Sequence, residues 1–178
     1  MTSSASQEMV WIVDEKNRPV GAVTRAQMRQ KRLVHRSTYI LVTDSKQRLL
    51  IQKRTLTKDV YPGLWEIAVG GVVAYGEDYR TSAFRELREE TGISSVYLQE
   101  HLDFYYEDQD NRLWGRLFSC KWDGKIQPQP EEVQEVLFAD RIQLLDMLEK
   151  EDFTPDSYFL IELIKEKGIK PLDCLFLP

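Results

Sequence analysis

The chain is poor in the residues that most often build metal and nucleophile sites, with only two histidines and two cysteines. Cys120 and Cys174 lie far apart, which excludes a disulfide framework and a closely spaced zinc site and suits a reducing interior. Positive charge is also short. The 24 Lys and Arg face 29 Asp and Glu, a net charge of −5, so there is no basic surface for a nucleic-acid backbone. An anionic ligand must then be met by local cations or by a metal. No apolar run approaches the roughly 20 residues needed to span a bilayer, and the start MTSSASQEM lacks the basic and apolar regions of a secretory signal. Repeats, low-complexity segments and Pro/Gly/Ser-rich linkers are absent as well. What remains is a chain of 178 residues, 42% hydrophobic and 30% charged, enough for one domain with a real core. The default expectation is a cytoplasmic enzyme or binding protein, with no nucleic-acid or membrane partner.

Residues 9–14 and 20–24 flank the turn residues EKNRP and read as a hairpin, and the polar stretch 25–33 reads as a short helix. Residues 37–43 (STYILVT) and 49–53 (LLIQK), around DSKQR, read as a strand pair. Pro62-Gly63 sets a turn, and residues 65–73 read as one or two strands approaching a glycine pair. A helix is expected over 77–91, with Phe84 and Leu87 as its buried stripe and Gly92 as its stop. Further strands are expected at 96–106, 113–122 and 133–138, and helices at 142–148 and 155–167. Thr154 would cap the last helix, and Phe159, Ile161, Leu163 and Ile164 would supply its apolar surface. Strands interleaved with a few helices indicate a layered α/β or α+β domain with a mixed sheet.

The stretch RELREETG, residues 85–92, sets Glu86, Glu89 and Glu90 at helical spacings that share one face. Like charges so placed repel by roughly 0.2–0.5 kcal/mol per pair. Water can screen that repulsion, or a bound cation can reverse its sign. Gly70, Gly71 and Gly76 upstream make a loop that brings backbone close to a ligand, and Glu77 enters at the start of the helix. Arg85 precedes Glu89 by one turn and can orient the carboxylates. Hard divalent ions take oxygen ligands, and magnesium uses few carboxylates together with substrate phosphates. Taken alone, a helix with three glutamates reads as a solvated acidic face.

The wider spacing alters that balance. From Gly71 to Ile93 the segment GVVAYGEDYRTSAFRELREETGI resembles the Nudix box, matching at Gly71, Glu77, Arg85, Glu86, Leu87, Glu89, Glu90, Gly92 and Ile93. Seven specified residue types at about 7% each coincide by chance on the order of once in 10⁸ windows. The resemblance implies an α/β/α sandwich with a central mixed sheet over residues 35–165, with residues 1–34 packing on it as a hairpin and short helix and 166–178 as a tail. It implies hydrolysis of a diphosphate bond in a nucleoside-diphosphate-linked or other diphosphate-containing small molecule, using Mg²⁺ or Mn²⁺. Glu86 and Glu90 would be metal ligands, with Glu89 sharing a site. Glu86 would also orient or deprotonate the water. Arg85 would organise the charges, and Glu77 and Gly92 would support the geometry of the box. Some members place the base outside the box. Glu132, Glu135 and Glu107 are local candidates for it, each with a plain surface reading beside it.

RTLTKDVYPGLWEIAVGG, with VDEKNRPVGAVTR and RLVHRSTYILV, is similar to isopentenyl diphosphate isomerase and its hydrolase-like relatives. That similarity implies Arg54 and Lys58, beside Gly71, as contacts for a substrate diphosphate. The isomerase pattern also requires a cysteine and then a histidine just before the box, where this chain has Gly70 and Val72. Its further acidic site falls near residues 110–112, where Arg112 stands for the expected glutamate. His35 matches an isomerase ligand position but lacks its partners and reads as a structural or surface histidine. Alkene protonation needs an acid opposed to a base, so hydrolysis is favoured. An isomerase and a non-catalytic sensor of a nucleotide metabolite are the alternatives. His101 reads as surface or strand packing. Trp65, Tyr105, Tyr106 and Trp114 read as core or rim, with base stacking as the other reading. The tail PLDCLFLP is expected to pack on its own domain or on a second copy, so the assembly is a monomer or a homodimer.

Overall fold

The computed structural model describes residues 4–170 and 172–176. Expectations for residues 1–3, Pro171, Leu177 and Pro178, and for the Cys174 side chain, lie outside the described residues. In chain order the elements are β1 (Met9–Val13), β2 (Pro19–Thr24), α1 (Arg25–Gln30), β3 (His35–Thr43), β4 (Leu49–Arg54) and β5 (Trp65–Glu66). Then follow α2 (Tyr79–Thr91), β6 (Gln99–Glu107), β7 (Arg112–Lys121), β8 (Val133–Ala139), α3 (Arg141–Lys150) and α4 (Pro155–Lys167), with short 3₁₀ turns at Ser4–Gln7 and Leu172–Leu175.

The strands form one eight-stranded sheet. It is mixed. β3 and β7 run parallel in unbroken register from His35↔Leu113 to Thr43↔Lys121, whereas β1–β2, β6–β7, β4–β8 and β4–β5 are antiparallel. The expected β3–β4 strand pair meets only at Thr43↔Leu49 before the strands part. The free edge of β3 is taken by the glycine segment. Ile40 N donates to Val69 O at 2.7 Å, Thr38 N to Gly71 O at 2.9 Å, and Val73 N to Arg36 O at 2.9 Å. The strand expected over 65–73 is therefore short. Only Trp65–Glu66 makes a ladder with β4, and Val69, Val72 and Ala74 form isolated bridges around Gly70, whose φ is +152°.

β3 is buried on both faces, as a central strand should be. Tyr39 and Leu41 point into one cluster with Leu144 of α3 and Leu160, Ile161 and Ile164 of α4. Ile40 and Val42 point into the other, against Tyr79, Ala83 and Leu87 of α2. The alternation along one strand thus puts helices on both sides of the sheet, the expected α/β/α sandwich. Each of these aliphatic side chains contributes roughly 1.5–3 kcal/mol by burial. Leu172, Leu175 and Phe176 join the first cluster, so this part of the tail packs on its own domain.

A third, smaller cluster joins Met28 of α1 to Val10, Ile12 and Val72 and anchors the N-terminal hairpin beside the glycine pair. α1 opens with a capping box between Thr24 and Gln27. Two details of α2 differ from expectation. The helix begins at Tyr79 with Asp78 as its cap, so Glu77 stands just outside it. Phe84 is exposed, because the inward arc is set by Tyr79, Ala83 and Leu87 and continues through Glu86 and Glu90. Among the described residues no helix is long and apolar enough to cross a membrane.

Candidate active site

Arg85 is the hub of the box. Its Nε lies 3.0 Å from Glu77 Oε1 and its Nη2 3.0 Å from Glu77 Oε2, while its Nη1 reaches Glu86 Oε1 at 2.8 Å and Glu89 Oε2 at 3.2 Å. One guanidinium therefore answers three carboxylates. Burial opposes its charge, but the bonds to Glu77 and the charge of Glu86 outweigh that and hold its pKa above the usual value. Glu77, placed ahead of the helix, ties the glycine loop to this hub.

The three helical glutamates divide by burial. Glu86 and Glu90 are 9% and 3% exposed, whereas Glu89 faces solvent. Burial raises the Glu86 carboxyl above its ordinary range despite Arg85. The Glu90 carboxyl is pushed up to about 8 by burial first, then by the charges of Glu66 and Glu86. Gln52 Nε2 donates to Glu90 Oε2 at 2.9 Å and to Glu66 Oε1 at 2.7 Å, whereas Gln52 Oε1 is buried without a hydrogen-bond partner. The loop closes directly on this pair. A Cβ at Gly71 would lie 2.7 Å from Glu86 Oε1, so any side chain there displaces the carboxylate.

Buried carboxylates crowded together, with all-oxygen donors and an orphaned amide oxygen nearby, fit a hard divalent ion. With Glu86 and Glu89 turned toward Arg85, no three His, Cys, Asp or Glu side chains among the described residues form a finished ligand cluster.

Two connected compartments flank the glutamates. The outer cleft, about 980 Å³ with its opening to solvent, carries Glu86, Glu89, Glu90, Arg85 and Glu132. The inner cavity, about 580 Å³ counted with its opening to solvent and about 70 Å³ without it, lies between α1 and the sheet and carries Arg29, Arg54, Tyr61, Asn111, His35 and Asp156. Arg25, Lys58, Gly70 and Gly71 line both and form the mouth between them. Arg54 and Lys58 thus come to the site, each already engaged. Arg54 pairs with Glu66 at 2.9 Å and donates to the Val60 carbonyl, and Lys58 pairs with Glu132.

Of the three outlying base candidates Glu132 alone reaches the cleft, which Glu8 also lines. Glu135 is exposed on β8, and Glu107 pairs with Arg112 at 3.2 Å and Arg32 at 3.5 Å. His35 is buried with Nδ1 3.0 Å from Leu33 O, and burial followed by the charge of Arg29 lowers its pKa to about 3. Of the structural and surface readings, its burial fits the structural one. His101 pairs with Ser119 Oγ at 2.8 Å. Trp65 packs on Phe153 and Tyr106 on Phe159, both in the core, while Tyr105 and Trp114 pack edge-on against each other. A Cβ at Gly70 would sit 2.0 Å from the Thr38 carbonyl oxygen, so this backbone has no room for a cysteine there.

Sequence reasoning missed Arg25 and Arg29, one turn apart on α1, together with Gln52, Glu66 and Asn111. The i, i+4 arginine pair was a signal open to reading. Asn111 carried none, since it reaches Arg29 across 82 residues of chain.

Fold and site together define an enzyme of the pyrophosphohydrolase class. Residues 33–162 match the NUDIX domain family, and the chain belongs to it. It is similar to the Nudix hydrolase PA4841 of Pseudomonas aeruginosa, 40% identical over 161 residues that cover 90% of this chain and 95% of the relative. It is also similar to the Nudix hydrolase YfcD of Escherichia coli, 42% identical over 166 residues covering 93% and 91%. The crystal structure of DR0079 from Deinococcus radiodurans shares the fold, with TM-score 0.75, 22% identity, and 89% of this chain and 98% of that one aligned.

Proposed function

We propose that the protein hydrolyses the diphosphate bond of a small molecule, with Mg²⁺ or Mn²⁺ held by Glu86 and Glu90 and shared by Glu89. The observation that carries this reading is the pair of buried carboxylates, each raised first by burial, pressed against glycine backbone at a mouth lined by Arg25 and Lys58. Bound there, a divalent ion neutralises charge on phosphoryl oxygens and acidifies water.

The chain's own groups supply the rest. Lys58 and Arg25 meet the diphosphate oxygens where the two compartments join. The bare backbone of Gly70 and Gly71 lets the phosphates approach without a side chain between. Arg85 holds Glu86 in orientation through its 2.8 Å contact, and Glu86 accepts the proton of the attacking water. Glu132, on the rim of the same cleft, is the second candidate for that proton. The relatives named as Nudix hydrolases, matched over about nine-tenths of both chains, support the reaction class. The closed backbone at Gly70 speaks against the isomerase alternative.

The test is Glu90→Gln, assayed on whichever compound a panel of nucleotide sugars, dinucleotides, ADP-ribose, coenzyme A and isoprenoid diphosphates identifies. Turnover with Mg²⁺ is expected to fall by about 10²-fold or more, while stability in EDTA stays at or above wild type because a crowded buried carboxylate is removed. Wild-type turnover by the variant would exclude the metal role. Binding across the panel with no hydrolysis would favour the sensor.

A further inference from the structure

The inner cavity holds more positive charge than its own carboxylates neutralise. Arg25 is answered by Glu8 at 3.3 Å, Arg54 by Glu66 at 2.9 Å, and Lys58 by Glu132. Arg29 differs from these three. Among the described residues no carboxylate ion-pairs with it. One of its terminal nitrogens donates to the neutral Asn111 Oδ1, and its buried Nε has no hydrogen-bond partner. Burial, and then the charge of Arg25, push its pKa down, and the charge of Asp59, which makes no ion pair with it, does not offset them.

The neighbours are arranged to hold this group in place. Asn111 Nδ2 donates to the Tyr61 hydroxyl at 3.0 Å, and Tyr61 donates to Asp108, which also accepts from the backbone of Asn111 at 2.7 Å. That chain fixes the amide so that its oxygen faces the guanidinium, with Nε left over. The remaining wall includes His35, Ser37 and Thr38. The half-buried aromatic pair Tyr105 and Trp114 lies outside the cavity, and the two tyrosines on its wall, Tyr39 and Tyr61, are tied through their hydroxyls to Asp156 and Asp108.

We infer that the inner cavity is a second oxyanion subsite, in which Arg29 binds a phosphate group separate from the diphosphate lying across the mouth. This rests on the diphosphate-hydrolase reading and sharpens its substrate class. The substrate is a compact molecule carrying both a diphosphate and a phosphomonoester, and not a prenyl chain. A planar guanidinium without a carboxylate partner is suited to two-point phosphate recognition, which lysine does not reproduce.

The experiment titrates inorganic phosphate into the full-length protein in EDTA at fixed ionic strength, read by calorimetry and by thermal unfolding, with acetate in parallel. Wild type is expected to bind phosphate in preference to acetate and to unfold at higher temperature with it. Arg29→Gln should weaken phosphate binding about tenfold or more, and Arg29→Lys should weaken it less. Without phosphate, Arg29→Gln should unfold at or above the wild-type temperature, because a half-buried cation without a carboxylate partner has gone. Absence of phosphate binding in wild type, equal binding by Arg29→Gln, or preference for acetate would overturn the subsite. So would a destabilised Arg29→Gln with unchanged Arg29→Lys binding, which would mark a structural brace to Asn111. Phosphate binding with no metal-dependent turnover on any diphosphate would overturn the hydrolase reading and leave the subsite standing. The reverse pattern would remove the subsite alone.

Discussion

Replacing Gly71 with alanine puts a methyl group where the Glu86 carboxylate already lies. The new Cβ would be 2.7 Å from Oε1, 2.8 Å from Cδ and 2.9 Å from Oε2, against ordinary contacts from 3.4 Å, so the carboxylate must retreat by about 0.7 Å. Backbone strain does not arise, since Gly71 is outside the positive-φ glycines. The substitution should therefore leave stability within about 1 kcal/mol of wild type, while a catalytic group moved by most of an ångström loses about 10- to 100-fold in rate. Gly70→Ala makes the matched contrast. There φ is +152° and the Cβ would meet the Thr38 carbonyl at 2.0 Å, so backbone must move and several kcal/mol of stability should be lost. The assay pairs urea unfolding with Mn²⁺ titration and turnover. Gly71→Ala should keep its unfolding midpoint and lose metal affinity and rate, and Gly70→Ala should lose the midpoint. Wild-type rate and metal affinity in Gly71→Ala, or equal destabilisation in both, would refute the close approach of loop and glutamate.

Acid stability should depend on His35. Burial, and then Arg29, hold its folded pKa at about 3, while the unfolded chain takes up a proton near 6.5. The histidine's contribution is thus complete above about pH 6.5 and falls by about 1.4 kcal/mol per pH unit as the pH drops toward 3, or about 2 kcal/mol between pH 7 and 5. Urea midpoints for wild type and His35→Gln should converge on acidification, and parallel curves would remove the histidine from the account. Asp78→Ala removes the 2.7 Å bond to Thr81 N that starts the box helix. It should lower stability by about 1 kcal/mol with little change in KM, and a midpoint unmoved in chemical denaturation would deny the cap its role.

The box was legible because its spacing is local. Glycine, arginine and glutamates within one loop and helix declare themselves in any window that holds them. Phe84 was misread because helical periodicity alone favours an apolar residue for the core, whereas here the inward arc is spent partly on Glu86 and Glu90. The strand expected over 65–73 failed at Gly70, whose conformation no propensity reveals. The β3–β4 pair was read from adjacency in sequence, but the β3 edge goes to the glycine segment and β4 is shared with β8. Arg54 and Lys58 could be read through resemblance. Arg29 could not, because its meaning depends on the absence of a carboxylate in three dimensions.

The glycine segment on the edge of β3 also bears on timescale. Its bonds to Arg36, Thr38 and Ile40 make the site floor part of the sheet, although few of its residues belong to a regular strand. The amide hydrogens of Thr38, Ile40 and Val73 should then exchange with solvent only as fast as the whole domain opens. The segment over 55–64, joined to the rest through Lys58–Glu132 and Tyr61–Asp108, has side-chain tethers in place of a ladder. Motion that admits a substrate belongs on that side, and the floor that positions the phosphates stays still while it happens.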